Sequence, residues 1–407
     1  MTLLRFPPDF LWGASTSAHQ TEGNNTASDT WALENQPGSP LPERSGDACD
    51  SLHRWPDDIE IAAELGFTAY RFSIEWARIE PAAGHVSRAM LQHYRRIVTA
   101  CMDRGITPVV TLHHFTSPLW LRQMGGWRSP DAPTLFARYT RALLPILDGV
   151  RWICTVNEPN MLAMMTGLLA NHDTSAPRAL PAPDPATVDN LITAHRLARA
   201  ELAALNDAKV GWTIANQNAQ PVDGATQVAD AWRELREDQF IRAAVDDDFI
   251  GVQAYTRSLI GPAGQIPPDG HTRRTLTGWE FYPDALGEAV RHTADLRPHM
   301  PILVTENGIA TANDDERIEY IDGALTGLDR AIADGVDVRG YLHWSLLDNY
   351  EWGSFRPTFG LVAVDPVTFE THTQAQRPLL CGNRTRSSGL TRRNELCGVR
   401  RLATPSP

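Results

Sequence analysis

Short apolar runs punctuate the chain, and the segments between them change period. Eight runs have β character: residues 10–16, 69–76, 108–115, 152–158, 210–215, 249–255, 302–306 and 341–347. Several are almost continuously apolar, as parallel strands covered on both faces are. Helical spacing fills the intervals. Residues 57–65 set Ile59, Ile61, Ala62 and Leu65 near one face after a Pro-Asp start. Residues 88–102, 132–147, 187–205 and 316–333 have comparable spacing, and Gly66, Gly105, Gly149 and Gly335 follow helix ends.

Eight strands alternating with helices across residues 1–370 predict a single (β/α)₈ TIM barrel of α/β class. A doubly wound open sheet is the alternative; it calls for a GxGxxG after the first strand, and none is present. Residues 22–53 and 260–278 are rich in Gly, Pro, Asn and Ser, which predicts long loops over the C-terminal mouth of the barrel.

Composition narrows the class. The chain has 407 residues, 42% apolar and 21% charged, within the globular range. No apolar run approaches the ~18 residues of a membrane span, and no membrane partner is expected. The first ten residues lack a secretory pattern, so a cytoplasmic location is expected. Five scattered cysteines without a CxxC pair argue against a disulfide framework and a zinc site. The net charge of −12 disfavours a nucleic-acid partner, which needs clustered positive charge, and none is expected. That charge is uneven: residues 371–407 hold seven Arg and one acid, Glu395. No pattern along the chain addresses oligomeric state.

Barrel chemistry sits at the C-terminal strand ends. The fourth predicted strand ends Thr155-Val156-Asn157-Glu158-Pro159, and the seventh ends Val304-Thr305-Glu306-Asn307-Gly308. Each sets a Glu at a buried strand end, where a charge costs several kcal/mol unless it is paired or used. Two carboxyls facing each other across a barrel mouth are what glycosidic hydrolysis needs. One protonates the leaving oxygen, and the other attacks or stabilises the anomeric carbon.

These two segments resemble the signature motifs of glycoside hydrolase family 1, the retaining β-glucosidase family. The resemblance implies that Glu158 is the acid/base and Glu306 the nucleophile, with a small β-glycoside as substrate and neither cofactor nor metal. It extends over residues 1–370. In the N-terminal segment from Phe10 to Gly23, it implies that Gln20 binds sugar hydroxyls. In Tyr70-Arg71-Phe72-Ser73-Ile74-Glu75-Trp76, Arg71 is implied beside the nucleophile. In Thr111-Leu112-His113-His114-Phe115, His114 is implied as a sugar ligand. Asn157 is implied at the 2-hydroxyl, and Tyr255 as a hydrogen-bond donor to the nucleophile. In Trp344-Ser345-Leu346-Leu347-Asp348-Asn349-Tyr350-Glu351-Trp352, Trp344 is implied to stack on the sugar, Glu351 to accept from the 4- and 6-hydroxyls, and Trp352 to serve the 3-hydroxyl side.

Other features have plainer readings. His113 and His114 are neighbours on a strand and point to opposite faces, which disfavours a metal. Glu75 reads as a structural ion-pair partner, Trp12, Trp31 and Trp55 as packing, and Asp246-Asp247-Asp248 as a solvated loop. The chain also departs from the family pattern. Strand six reads Gln253-Ala254-Tyr255 where the family usually has Asn-Tyr-Tyr, and Phe115-Thr116-Ser117-Pro118 replaces Trp-Asp-Leu-Pro. From residue 371 an Arg- and Ser-rich tail stands in place of the final barrel helix, and it reads as frameshifted or replaced sequence. Two other functions compete with a β-glucosidase. A 6-phospho-β-glycosidase is disfavoured because Glu351 would repel a phosphate. An inactive glycan-binding relative is disfavoured because both glutamates are present.

Overall fold

The computed structural model describes residues 6–170 and 181–373. Eight strands close a parallel barrel: β1 Leu11–Ser15, β2 Ala69–Ser73, β3 Thr107–His113, β4 Trp152–Asn157, β5 Lys209–Ala215, β6 Ile250–Gln253, β7 Ile302–Asn307 and β8 Val338–Trp344. Each strand pairs with its sequence neighbour, and β8 returns to β1, with Gly340 opposite Leu11 and Trp344 opposite Ser15. The expected TIM barrel is therefore observed, each of the eight apolar runs supplying one strand.

Burial on both faces sets the layers. Outward strand residues such as Phe72, Val110, Ile153 and Val252 pack in the shell between barrel and helices. Inward residues form a separate apolar plug of Ala69, Val109, Trp152, Cys154, Phe249, Leu303 and Leu342. Above the plug the interior turns polar, with Arg71, Thr111, Asn157, Thr213, Gln253 and Glu306 all buried. Side chains two residues apart on a strand share a face. Ala69–Arg71, Val109–Thr111 and Gly251–Gln253 thus step from the floor to the site.

The outer helices include α1 Ser51–Glu64, α2 Arg88–Asp103, α3 Ala132–Leu147, α4 Pro185–Leu202, α5 Thr226–Arg233, α6 Ala285–Leu296 and α7 Asp314–Ala333. Helix α3 has the predicted bounds. Helix α1 starts at Ser51, so Pro56 lies inside it and does not begin it. Helix α6 lies outside the sequence expectation although Leu286, Ala289, Val290 and Thr293 give it a buried face, and it meets α7 glycine on glycine. A Cβ on Gly287 would sit 2.8 Å from the carbonyl oxygen of Gly327 on α7. The segment Pro159–Ala170 is a helix that follows β4 directly. It is apolar almost all round and so carries no amphipathic signal.

The two predicted loops carry some order. Residues 22–53 contain the helix Asp29–Asn35. Residues 260–278 share in an antiparallel pair, Ser258–Gly261 with Gly264–Ile266. Thr371–Thr373 pairs antiparallel with Val362–Val364, so a boundary at residue 370 would cut a hairpin. The expectations for the rest of the tail, residues 374–407, fall outside the described residues. Among the described residues no helix is long and apolar enough to cross a membrane.

Candidate active site

The polar layer of the barrel is organised around Glu306. Its Oε1 accepts from Arg71 Nη1 at 2.6 Å and from Gln253 Nε2 at 2.8 Å, and its Oε2 accepts from Tyr255 Oη at 2.6 Å. Arg71 is fully buried, and it also donates through Nη2 to Asn157 Oδ1 at 2.5 Å and through Nε to Thr111 Oγ1 at 3.0 Å. Asn157 Oδ1 further accepts from Thr213 Oγ1 at 3.1 Å and Gln253 Nε2 at 2.9 Å. Three donors converging on one amide oxygen fix the orientation of Asn157, leaving its Nδ2 beside His114 Nε2 at 3.2 Å. Burial, reinforced by the Arg71 charge, holds the His114 imidazole well below its ordinary pKa and so neutral.

Two irregularities in the ladder aim the acidic strand ends. Strict alternation from the inward Leu303 would turn Glu306 outward. The pairing of β7 with β6 shifts register between Val304 and Glu306, and the carboxylate points in. The pairing of β4 with β5 shifts between Cys154 and Asn157, bringing Asn157 inward. Such bulges re-aim side chains beside active sites. Glu158 then leaves the strand with φ of 43°, in the left-handed region that an unbranched L-residue enters at a cost of about 1–2 kcal/mol. Gly308 closes the seventh-strand motif for a steric reason: a Cβ there would lie 2.0 Å from the Trp344 carbonyl oxygen on β8.

Glu158 and Glu306 line the same cavity, of about 800 Å³, but in different surroundings. Burial pushes both carboxyls up. Arg71 and Tyr255 pull Glu306 back toward ionisation. The Glu158 carboxyl has no hydrogen-bond partner among the described residues, and the charge of Glu306 raises its pKa further. The proton shared by such a pair rests on Glu158.

The far end of the cavity is built from the β1 and β8 loops. Gln20 Nε2 donates to Glu351 Oε2 at 3.2 Å and to Asn349 Oδ1 at 3.1 Å, and Ser17 Oγ donates to Gln20 Oε1 at 2.6 Å. Trp344 Nε1 donates to Glu351 Oε1 at 3.0 Å. The peptide between Trp344 and Ser345 is cis. The His114 ring lies parallel to Trp344 and Trp352, with centroids 5.8 and 6.4 Å away. All ten residues singled out from the sequence lie in this constellation. Eight of them line the cavity, and Arg71 and Asn157 stand behind Glu306.

Taken together, two unequal carboxyls, a ring of hydroxyl-binding groups and flat aromatic faces suit cleavage of a bond to a pyranose. Comparison with known proteins decides the family. The family model described as Glycosyl hydrolase family 1 matches residues 3–267 and 234–378, two overlapping stretches. The chain belongs to glycosyl hydrolase family 1. It is 30% identical over 418 residues to a 1,4-beta-D-glucan glucohydrolase of Thermotoga neapolitana, covering 89% of this chain and 98% of that one. A thermostable beta-glucosidase B of Thermobispora bispora is 32% identical over 422 residues, 90% of this chain and 87% of that one. Among solved structures, a beta-glycosidase from Pyrococcus horikoshii superposes with a TM-score of 0.86 at 36% identity, covering 95% of this chain and 96% of that one. This family 1 protein is accordingly a glycoside-hydrolysing enzyme of the retaining type.

Some groups differ from their sequence reading. Glu75 has no cationic partner among the described residues. It accepts from Thr116 Oγ1 and caps the helix Trp76–Ile79 through the Ala77 N–H. Asp247 is a buried partner of His195, at 2.9 Å, rather than part of a solvated loop. His113 turns away from the cavity and meets Ser117 Oγ at 2.9 Å. The sequence reading missed Gln253 as a site residue; its polar amide, two positions on from the inward Gly251, was the available signal. Among the described residues, Glu237, Asp238 and His292 bring potential metal-ligand atoms within 4.8 Å of one another. Their polar atoms already bond Asn216, Gln217 and each other, and none of the three lines the cavity.

Proposed function

We propose that the enzyme is a β-glucosidase releasing terminal β-linked glucose from small glycosides by double displacement, with Glu306 as nucleophile and Glu158 as acid/base. The unequal surroundings of the two carboxyls carry this reading. Glu306, held by Arg71, Gln253 and Tyr255, stays ionised and attacks the anomeric carbon. The bond to the aglycone breaks as Glu158 gives its proton to the leaving oxygen. A glycosyl ester on Glu306 remains. Glu158, now a carboxylate, takes a proton from water as that water attacks the same carbon, and the ester bond breaks with net retention. Gln20, His114, Asn157, Trp344, Glu351 and Trp352 are assigned to the glucosyl unit. Release of nitrophenol from β-glucoside, β-galactoside and β-fucoside substrates tests the glycone; glucose preference supports the reading, and a silent β-glucoside refutes it. We assign one catalytic barrel to the chain up to Thr373, three residues beyond the expected boundary, because the hairpin of Val362–Val364 with Thr371–Thr373 belongs to it. A cytoplasmic location accords with Cys49, Cys101 and Cys154, all buried and unpaired.

A 6-phosphorylated substrate fits poorly, but for a reason other than simple repulsion. Burial, with the Glu306 charge adding to it and the Trp344 and Gln20 hydrogen bonds opposing it, pushes Glu351 up to about 8. Its hydrogen-bond donors are Gln20 and Trp344, neither of them a cation. An unpaired phosphate there costs about 3–5 kcal/mol. Nitrophenyl 6-phospho-β-glucoside is therefore expected to react at least about 10²-fold more slowly than the unphosphorylated glucoside; comparable rates would reverse the assignment.

Gln253 is assigned as a positioning residue. A hydrogen bond to a charged group contributes about 1.5–3 kcal/mol, so Gln253→Leu is expected to lower kcat/KM about 10- to 100-fold. Glu306 also loses a donor to its ionised form, so the acidic limb of the pH–rate profile moves to higher pH. An unmoved acidic limb would assign Gln253 to packing alone.

A further inference from the structure

We propose that the aglycone this enzyme is built to release is a large, flat, apolar alcohol rather than a second sugar; this rests on the glucosidase reading above. The position of the acid fixes where the aglycone must lie. Glu158 protonates the leaving oxygen, so the leaving group sits on its side of the cavity. Glu158 leads straight into the helix Pro159–Ala170, and Met161, Leu162 and Met165 follow it at three, four and seven positions. That spacing places all three on one helical face, and all three line the cavity.

A second part of the lining is also apolar. Leu259 and Ile266 are cross-strand partners in the pair Ser258–Gly261 with Gly264–Ile266, so their side chains share a face. Trp279 also lines the cavity, packed against Tyr255 and Phe359. Met165, Ile266 and Trp279 are 46%, 39% and 42% exposed, an unusual cost for three large apolar groups around one opening.

The charged groups on this wall are already spent on each other. Arg257 grips Glu280 through Nε and Nη2 at 2.9 and 2.8 Å, and Glu280's carbonyl accepts from Thr256 Oγ1 at 2.8 Å. Gln217 donates through Nε2 to the sulfurs of Met161 and Met164, both 3.9 Å away, which leaves its Oε1 as one unpaired acceptor on an otherwise apolar face. A second sugar would bring several hydroxyls that need partners, and leaving them unpaired is costly. A cavity of about 800 Å³ is of the size that encloses a drug-like molecule, well beyond one glucosyl unit.

The test must separate contact from leaving-group chemistry. Methyl β-glucoside, 2-phenylethyl β-glucoside, 2-(2-naphthyl)ethyl β-glucoside and cellobiose all release an aliphatic alcohol rather than an acidic phenol, so each needs the Glu158 proton. We expect kcat/KM to rise from methyl to phenylethyl to naphthylethyl, with naphthylethyl at least about tenfold above cellobiose. In Met165→Ser/Ile266→Ser the naphthylethyl-to-methyl ratio should fall at least about fivefold, a ratio that partial misfolding does not move. Cellobiose matching or exceeding the naphthylethyl substrate would overturn the proposal, as would an unchanged ratio in the double variant. The two readings fail separately: a different glycone shows in the nitrophenyl panel, and the aglycone ratio is then measured on that glycone.

Discussion

Glu306→Gly is expected to lower kcat/KM for nitrophenyl β-glucoside by about 10⁴-fold or more, the scale seen when a nucleophile is deleted. Arg71, Gln253 and Tyr255 all donate to this one carboxylate and so hold it in position. Stability is a separate matter. Arg71 is fully buried and Glu306 is its ion-pair partner, so removing the carboxylate strands a charge at a cost of about 3–5 kcal/mol. A lowered Tm is therefore expected in Glu306→Gly, and activity must be measured below it. Chemical rescue distinguishes a lost nucleophile from a damaged fold. Azide should fill the vacated space and restore turnover of an activated substrate, giving the α-glycosyl azide by a single inversion. A folded variant that keeps more than about a tenth of the wild-type rate would remove Glu306 from the role, and rescue with a β-glycosyl azide would reassign it as the acid/base.

The fold was legible because parallel strands in a barrel are buried on both faces. The runs at 152–158 and 302–306 announce themselves without any tertiary information, and the observed Trp152–Asn157 and Ile302–Asn307 differ only at their ends. The helix Pro159–Ala170 was not legible, since it has no polar face, whereas the helical spacing of Leu286, Ala289, Val290 and Thr293 on α6 was available to be read. At the site, acidic residues at apolar strand ends were visible as a conflict between burial and charge. Their direction was not, because period-2 alternation would turn Glu306 outward and only a register shift against β6 corrects it. The partners of a buried charge were equally hidden. Asp247 reads as one of three exposed acids until α4 brings His195 and Arg199 against it. Gln253 looked like a departure from a family pattern, yet its longer side chain reaches both Glu306 and Asn157.

The role of Glu158 makes a prediction of a different shape, because it is needed as an acid in one step and as a base in the next. Glu158→Ala is expected to lower kcat/KM about 10²- to 10⁴-fold for an alkyl glucoside, whose poor leaving group needs the proton. A dinitrophenyl glucoside, whose leaving group departs unaided, should lose far less in kcat/KM. Its kcat should still fall, since no base remains to activate water against the glycosyl ester. The pH profile supplies the independent check. Burial first, and the Glu306 charge second, raise Glu158 well above the usual carboxylate range. The active form is protonated at Glu158, so wild-type activity is full below that raised pKa and is lost as pH climbs through it. The acidic limb belongs to Glu306, which must be ionised and is lost as pH falls. Glu158→Ala should therefore flatten the basic limb of kcat/KM and leave the acidic limb in place. A basic limb that persists would mean that another group holds the proton. The same variant challenged with azide should yield the β-glycosyl azide, because the nucleophilic carboxylate is intact and only the second displacement is rescued. Opposite anomers from the two variants would establish the two roles on opposite faces of one anomeric carbon, which neither rate alone can do.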